Sequence, residues 1–267
     1  MSELKGVLPK EIFAPLAALL LASAVCGVFV VVRVLLTGWI NYLFLIWNLF
    51  LAWLPLVFAV LAQNQFRKMT ATEKPSIRFW AWAVLWLLFL PNASYIFTDL
   101  VHLQDRRFFN FWLDLTVILS CALTGLILGF VALFLMQSVV TRRYGSWIGW
   151  GFVAISTGLS SFGIYLGRFL RFNSWDVIAK PHRLYHGISS FPLGQPQHLA
   201  FFGLFAVFLF LTYLMLYALT RLPSPRQPAS MNDELLEPPP DHRQAPESSS
   251  EMSSPDERKH EARSREI

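Results

Sequence analysis

Six long apolar runs determine what this chain can fold into. Each is long enough to cross the hydrocarbon core of a bilayer, which is roughly 30 Å thick. They cover about residues 12–36, 41–62, 79–98, 112–137, 147–170 and 198–220. Because lipid offers the backbone no hydrogen-bond partner, a crossing segment must pair its own N–H and C=O groups, as an α-helix does. The sequence therefore predicts an all-α integral membrane protein with six transmembrane helices.

The distribution of charge supports a membrane protein. Of the 267 residues, 55% are hydrophobic and only 15% are charged, against roughly 25% charged residues in a soluble domain. Residues 1–223 hold sixteen basic and seven acidic side chains, whereas residues 224–267 hold six basic and ten acidic ones. The basic residues of the first part lie in short loops, where they favour anionic lipid headgroups. This arrangement indicates a lipid bilayer as the partner and argues against nucleic acid.

Composition also divides the chain into two domains. Residues 1–223 contain all six apolar runs and are predicted to form a polytopic membrane domain. Residues 224–267 are rich in Pro, Ser and Glu, with almost no apolar periodicity, which is typical of a disordered tail. The first apolar run is longer than the roughly 7–15 residues of a cleaved signal. We therefore expect it to be a retained transmembrane helix.

The loops between the runs predict how the protein is oriented. An even number of spans places both termini on the same side. Many basic residues fall on that side, namely Lys5, Lys10, Arg67, Lys68, Lys74, Arg78, Arg142, Arg143 and Arg221. Because short cytoplasmic loops carry an excess of Lys and Arg, we expect both termini, and hence the tail, to lie in the cytoplasm.

The third apolar run ends in an unusual stripe of polar residues. They follow one another at steps of 3, 4, 3 and 4, which places them on one helical face: Asn92, Tyr95, Asp99, His102 and Arg106. Pro91 precedes the stripe and removes a backbone donor, so a kink or break of the helix is predicted there. Ionisable residues within a membrane span are costly, and they commonly mark functional sites.

The fifth run supplies possible counter-charges. It places Tyr165 and Arg168 on one face and continues with further polar residues, namely Arg171, Asn173 and Asp176. A guanidinium group presents a planar fork of donors that suits a carboxylate. We therefore predict that Arg168 or Arg171 pairs with Asp99. Arg33, close to the end of the first run, is interpreted as extending to the lipid headgroups.

Two Gly-x-x-x-Gly pairs indicate close helix packing. They are Gly125/Gly129 in the fourth run and Gly163/Gly167 in the fifth. This spacing allows two membrane helices to approach closely. The pairs predict that spans four and five are neighbours, which would keep Arg168 within reach of Asp114.

Three functions are compatible with this pattern. The first is a binding or transport protein with an outward-facing polar pocket for an anionic small molecule or lipid headgroup. Its predicted ligand-binding residues are Asn92, Tyr95, Asp99, His102, Tyr165, Arg168, Arg171, Asn173 and Asp176. The second is a metal-dependent membrane hydrolase acting on a lipid or envelope substrate. The third is an accessory or scaffold protein in which the polar residues only hold helices together.

The hydrolase hypothesis would require a metal site. Asp99 and His102 are three residues apart, and His182 and His186 are four apart. These four side chains could hold zinc with an open position for water. Such spacings give frequent false matches, so we expect no cofactor and retain zinc as the alternative. Whether the chain is an enzyme is left open by these residues.

Two motifs carry a resemblance to a known family. FLPNASYIFTDLVHL (89–103) and YLGRFLRFNSWDV (165–177) together resemble a bacterial multi-pass membrane family, the domain of unknown function 1361. The resemblance covers roughly residues 15–220. It implies a fold and a location in a bacterial plasma membrane, not an activity. The residues matching the motifs are Pro91, Asn92, Tyr95, Asp99, His102, Gly167, Arg168, Arg171, Asn173, Trp175 and Asp176.

Overall fold

Regular structure in the described part of the chain is entirely helical. The computed structural model describes residues 10–38, 40–70, 73–103, 111–172, 176, 182 and 196–221. Its α-helices are α1 (Lys10–Thr37), α2 (Phe44–Arg67), α3 (Ile77–Tyr95), α4 (Phe111–Tyr144), α5 (Ser146–Phe169) and α6 (Pro196–Leu219). Short 3₁₀ helices occupy Ile40–Tyr42 and Ile96–Leu103. The predicted tail, 224–267, lies outside the described residues.

These helices have the length and composition of membrane spans. Six candidate spans of 24 to 34 residues are apolar enough to cross a bilayer, the third including the 3₁₀ turn up to Leu103. Large apolar side chains such as Leu36, Leu204 and Trp147 are exposed, as expected for surfaces that face lipid tails. The predicted all-α membrane fold with six spans is confirmed.

Helix α4 forms the centre of the bundle. It is the most buried span, and α1, α2, α3 and α5 all pack against it. Its side chains Leu128, Ala132 and Leu133 are almost completely inaccessible. A single residue, Gly145, joins α4 to α5 at a φ of 94°, a left-handed conformation that glycine adopts without a steric penalty. This permits the chain to reverse direction without a longer loop.

Contacts along the helices show that α2 and α3, and likewise α5 and α6, run in opposite directions. In α2 and α3, Phe66 lies against Phe79 near one end and Asn48 against Asp99 near the other, so these helices are antiparallel. The pairs that show the same for α5 and α6 are Trp150 with Tyr217 and Tyr165 with His198. Arg33, Asp99, Asp114 and Arg168 consequently gather at one end of the bundle, which we call the Asp99 end.

Glycines of α4 bring that helix directly against the backbone of α3. A Cβ atom at Gly125 would lie 2.7 Å from the carbonyl oxygen of Ala93 and 2.9 Å from Cδ1 of Ile96. A Cβ atom at Gly129 would lie 2.9 Å from Cβ of Ala93. Real Cβ atoms do not approach so closely, so the absence of a side chain at these two positions determines the spacing of α3 and α4.

The glycines of α5 contact the opposite side of α3. A Cβ atom at Gly163 would lie 2.5 Å from Cγ of Pro91, and one at Gly167 would lie 3.1 Å from Cε2 of Tyr95. Helices α4 and α5 do contact each other, as predicted, but both glycine pairs pack on α3. The spacing of small residues reveals that a close approach exists without identifying the partner helix.

Pro91 does not end helix α3. The α-helix continues through Pro91 to Tyr95, and the chain then winds more tightly as a 3₁₀ helix to Leu103. The helix therefore does not break at Pro91, and the change of winding comes after Tyr95, within the span predicted to reach residue 98. The change of winding delivers Asp99 and His102 from a 3₁₀ segment with three residues per turn, in which side chains three apart lie above each other.

Candidate functional site

Asp99 is the centre of the polar contacts at this end of the bundle. Its side chain is 2% exposed. Arg168 Nη1 of α5 donates to Asp99 Oδ1 at 3.4 Å, and Asn48 Nδ2 of α2 donates to Oδ2 at 3.1 Å. The predicted ion pair between Arg168 and Asp99 is therefore present. It links three helices, because Asp99 follows α3 while its two partners lie on α5 and α2.

Asn48 was not predicted from the sequence as a site residue. It lies inside the apolar run of α2, one turn from the start of that helix. An amide within a membrane span commonly forms a hydrogen bond to another helix, and this signal could have identified it. Asn48 provides a hydrogen bond to Oδ2 of Asp99, the carboxylate oxygen that Arg168 does not contact.

His102 lies next to Asp99 on the 3₁₀ segment. Its Nδ1 atom is 2.9 Å from the backbone oxygen of Asp99 and 3.9 Å from Oδ1. The Phe44 ring packs on the imidazole, with centroids 5.3 Å apart. The short contact to a carbonyl oxygen requires a proton on Nδ1. Nε2 is then the acceptor nitrogen of a neutral imidazole or a second donor of a charged one.

A large cavity adjoins these polar groups. It has a volume of about 1000 Å³ and lies between α2, α3 and α5. Its polar lining residues are Asn48, Asn92, Tyr95, Asp99, His102, Arg168 and Arg171, and its apolar ones include Leu51, Val84, Leu87, Leu88, Leu159, Phe162 and Leu166. We call it the Arg171 cavity. Its volume is at the upper end of the range of about 300–1,000 Å³ for small-molecule sites.

The end of α5 holds Arg171 in an unusual backbone conformation. Arg171 has a φ of 55°, in the left-handed region that residues with a side chain seldom adopt. The N–H of Phe172, just beyond it, donates to the carbonyl of Leu166 at 3.2 Å, which closes the turn. The turn directs the chain back toward Gly167, whose would-be Cβ atom lies 3.5 Å from the Phe172 carbonyl oxygen.

Unlike Arg168, Arg171 has no acidic partner among the described residues. It is exposed and lines the cavity. Arg168 is 23% exposed at its side chain, and its contact with Asp99 uses a single nitrogen. Because a guanidinium carries five N–H donors, most of the donors of Arg168 have no partner in the described chain. The charge of Asp99 is balanced by Arg168, so Arg171 leaves the cavity with an excess of positive charge.

The remaining predicted site residues lie elsewhere. Tyr165 faces α6, where its hydroxyl is 3.3 Å from Nδ1 of His198, and it is not part of the cavity lining. Asp176 is 5% exposed and also lies outside the lining. Asn173 falls outside the described residues, as does Arg106 of the polar stripe.

A second ion pair at the same end was not predicted. Nε of Arg33 donates to Oδ1 of Asp114 at 2.9 Å, and both side chains are at most 1% exposed. The guanidinium carbon also lies 4.0 Å from the centroid of the Tyr42 ring. The interpretation that Arg33 extends to the headgroups is therefore wrong, and Asp114 is paired with Arg33 of α1 and not with Arg168. The charge of each group is neutralised inside the protein.

The alternative of a zinc site would require free ligand atoms at Asp99. No group of three His, Cys, Asp or Glu side chains in a metal-binding arrangement occurs within the described ranges. His182 is exposed, and His186 lies outside the described residues. Both carboxylate oxygens of Asp99 already accept hydrogen bonds, one of them from a guanidinium. A cation at Asp99 would meet the positive charge of Arg168.

The Asp99–Arg168 pair can be tested by a double-mutant cycle. Asp99→Asn and Arg168→Ala should each lower the stability of the purified protein, and their combination should lower it by less than the sum. We expect an interaction energy of about 1–2 kcal/mol, because the pair is in contact and one member is buried. Thermal unfolding in detergent measures it. Additive effects would show that the two residues do not interact.

The fold and the site define the class of this protein. Six membrane-length helices, with a cavity of polar and apolar walls at one end, make it a multi-pass membrane protein. The chain belongs to the family described as Protein of unknown function (DUF1361), whose model matches residues 47–214. The match includes both sequence motifs and every residue that lines the Arg171 cavity except Phe44. It confirms the resemblance to this family that the two motifs indicate. Comparison with curated proteins and with solved structures finds no match.

Proposed function

We propose that the protein binds the anionic group of a ligand in the Arg171 cavity. The observation that carries this proposal is Arg171 itself, a cavity-lining arginine without an acidic partner in the described chain. Arg168 stands three residues before it with most of its donors unused. Two guanidinium groups at one end of a cavity favour a carboxylate or a phosphate, which accept paired N–H donors.

The shape of the lining favours binding over the passage of a small charged solute. The polar lining residues are Asn48, which contacts Asp99, and those from Asn92 onward, whereas the lining nearer the start of α3 and α5 is apolar. An ion moving along that apolar part would lose its hydration without gaining a partner, which is strongly unfavourable. The cavity is therefore best described as a site that holds a charged group at its Asp99 end.

The proposed orientation places this site outside the cytoplasm. At the bundle end opposite Asp99, the described ends of the helices and their loops carry mostly basic residues, namely Lys10, Arg67, Lys68, Lys74, Arg78, Arg142, Arg143 and Arg221. Among the described residues at the Asp99 end, Arg33, Arg168 and Arg171 are accompanied by Asp99 and Asp114. The positive-inside rule then supports a bacterial plasma membrane with the basic end in the cytoplasm.

Reporter fusions test this orientation. Alkaline phosphatase, which is active only outside the cytoplasm, should be inactive when fused after Ile267. The same enzyme inserted after Thr37 should be active. Phosphatase activity at the C-terminus together with inactivity after Thr37 would reverse the orientation and place the cavity on the cytoplasmic side.

The proposed function is tested by adding a soluble anion to purified protein. Glycerol phosphate should stabilise the wild-type protein against thermal unfolding, by about 2.7 kcal/mol at a concentration of 100 Kd. Arg171→Gln removes a charged donor, and we expect about a tenfold weaker affinity. At the same ligand concentration its stabilisation should fall to about 1.4 kcal/mol.

Arg142→Gln is the matched control, since it removes the same charge from an exposed residue at the opposite end of the bundle. It should retain the full stabilisation at equal ionic strength. If glycerol phosphate, inorganic phosphate and succinate all fail to stabilise the wild type, or if they stabilise Arg171→Gln equally well, the proposed function is wrong.

A further inference from the structure

The Arg171 cavity opens sideways as well as toward its charged end. Helices α2 and α5 both pack on α3 and make few contacts with each other, so α3 forms the floor between them. Along the rim, Trp47, Val84 and Leu159 are 55%, 62% and 45% exposed. These three residues lie within the apolar spans. In a bilayer, the open side of the cavity therefore faces lipid.

Apolar side chains of α3 line a neighbouring cleft as well as the Arg171 cavity. A second cleft of about 530 Å³ shares Val84 and Leu87 with it and extends past Phe79 toward Arg143. From Pro91 back to Phe79 the helix rises by about 18 Å at 1.5 Å per residue. This is close to the thickness of one leaflet, which is half of the roughly 30 Å hydrocarbon core. We call the apolar lining of these two clefts along α3 the furrow; it is about as long as an acyl chain and begins beside the charged groups.

We propose that the occupant of the Arg171 cavity is a phospholipid with an anionic headgroup. Its headgroup phosphate would contact Arg171 and Arg168, and an acyl chain would lie in the furrow along α3. This inference rests on the proposed function, because it adds a chain to the anionic group bound at Arg171. The arrangement of charged and apolar walls matches an amphiphile, whereas a soluble anion would leave the apolar walls uncovered.

A lipid has the physical advantage that it can enter the cavity directly from the bilayer, without passing through water. Between protein and lipid tails there is little hydrophobic driving force, since both surroundings are apolar. The acyl chain therefore contributes by keeping the headgroup at high local concentration near the arginines. The arginines in turn discriminate between headgroups. An anionic headgroup should be preferred over a zwitterionic one, whose own cation would meet Arg171.

Native mass spectrometry of the detergent-purified protein tests the proposal with named lipids. Dioleoyl phosphatidylglycerol should bind at least about tenfold more tightly than dioleoyl phosphatidylcholine, and Arg171→Gln should remove most of this difference. Leu159→Trp places a large side chain in the apolar part and should weaken phosphatidylglycerol binding about tenfold. Leu211→Trp is the matched control, because Leu211 of α6 is similarly exposed at 49% and lines neither cleft. It should bind the lipid as the wild type does.

The outcomes separate the lipid from a free anion. If glycerol phosphate binding depends on Arg171 while phosphatidylglycerol binds no better than phosphatidylcholine, or is insensitive to Leu159→Trp, the lipid inference is wrong and the proposed function stands. If Arg171→Gln changes the binding of neither glycerol phosphate nor phosphatidylglycerol, both the proposed function and the lipid inference are wrong. Val84→Trp fills the same furrow from α3 and decides the question if Leu159→Trp does not fold.

Discussion

Asp114→Ala is expected to lower the free energy of unfolding by about 3–5 kcal/mol, and this is the largest effect that we expect from a single substitution. Asp114 and Arg33 are both at most 1% exposed and form a direct contact of 2.9 Å. Removing the carboxylate leaves a guanidinium without its counter-ion inside the bundle. The effect should appear as a large loss of folded protein and a lower Tm in detergent.

A double substitution distinguishes the ion pair from simple loss of packing. Replacing both partners, as in Arg33→Leu with Asp114→Leu, should recover most of the lost stability, because no buried charge then remains unpaired. Glu73→Ala is the control for removing a carboxylate. Glu73 is exposed, and in the described chain its carboxylate accepts a hydrogen bond only from the backbone N–H of Thr70. Its loss should therefore change stability by less than about 1 kcal/mol. If the double variant is as unstable as Asp114→Ala, the ion pair is not the cause.

Gly163→Ala should have the second largest effect, a loss of about 1–3 kcal/mol from overpacking. The new Cβ atom would lie 2.5 Å from Cγ of Pro91 and 2.9 Å from Cβ of the same ring. A proline ring cannot rotate away, so α3 and α5 must separate. The measurement is the Tm of the purified variant. A structure of the variant would also give the volume that remains available to ligand in the Arg171 cavity.

Gly158→Ala provides the control on the same helix. A Cβ atom at Gly158 would meet nothing within 4 Å, so only the helix propensity changes. Alanine is favoured over glycine within a helix by roughly 0.5–1 kcal/mol, and the variant should be at least as stable as the wild type. Equal losses at Gly158 and Gly163 would contradict the close packing of α5 on Pro91.

Several features could be predicted from the sequence because they depend on local pattern. The six spans follow from the length of the apolar runs, since the bilayer sets that length. The pairing of Arg168 with Asp99 follows from the rarity of charges in spans, since each needs a partner. Six of the predicted site residues do line one cavity, namely Asn92, Tyr95, Asp99, His102, Arg168 and Arg171.

Other features depend on which helices are neighbours, and the sequence contains little information about that. Arg33 is near a helix end, where an arginine can reach headgroups equally well. Only the packing of α1 on α4 brings it to Asp114. In the same way, the position of Tyr165 on the face of α5 that meets α6 removes it from the cavity. Periodicity places a side chain on a face, and the tertiary fold decides what that face contacts.

The packing of α3 connects stability with the proposed site. Small residues on α4 and α5 hold α3 between those helices, so Asp99 and Asn92 are positioned by contacts well inside the bundle. Asp99 then fixes Arg168, which leaves Arg171 as the arginine of the cavity lining without an acidic partner in the described part of the chain. A donor held in place in this way, such as Arg168, would bind the proposed anion with less loss of side-chain freedom than a flexible residue.

The most direct measurement is an experimental structure of the protein in a bilayer nanodisc containing dioleoyl phosphatidylglycerol. If the Arg171 cavity holds an anionic group, a phosphate oxygen should lie about 2.7–2.9 Å from a guanidinium nitrogen of Arg171, with Arg168 still bonded to Asp99. A cavity in which Arg171 points away from any phosphate and forms an ion pair with a carboxylate of the protein would contradict the proposed function.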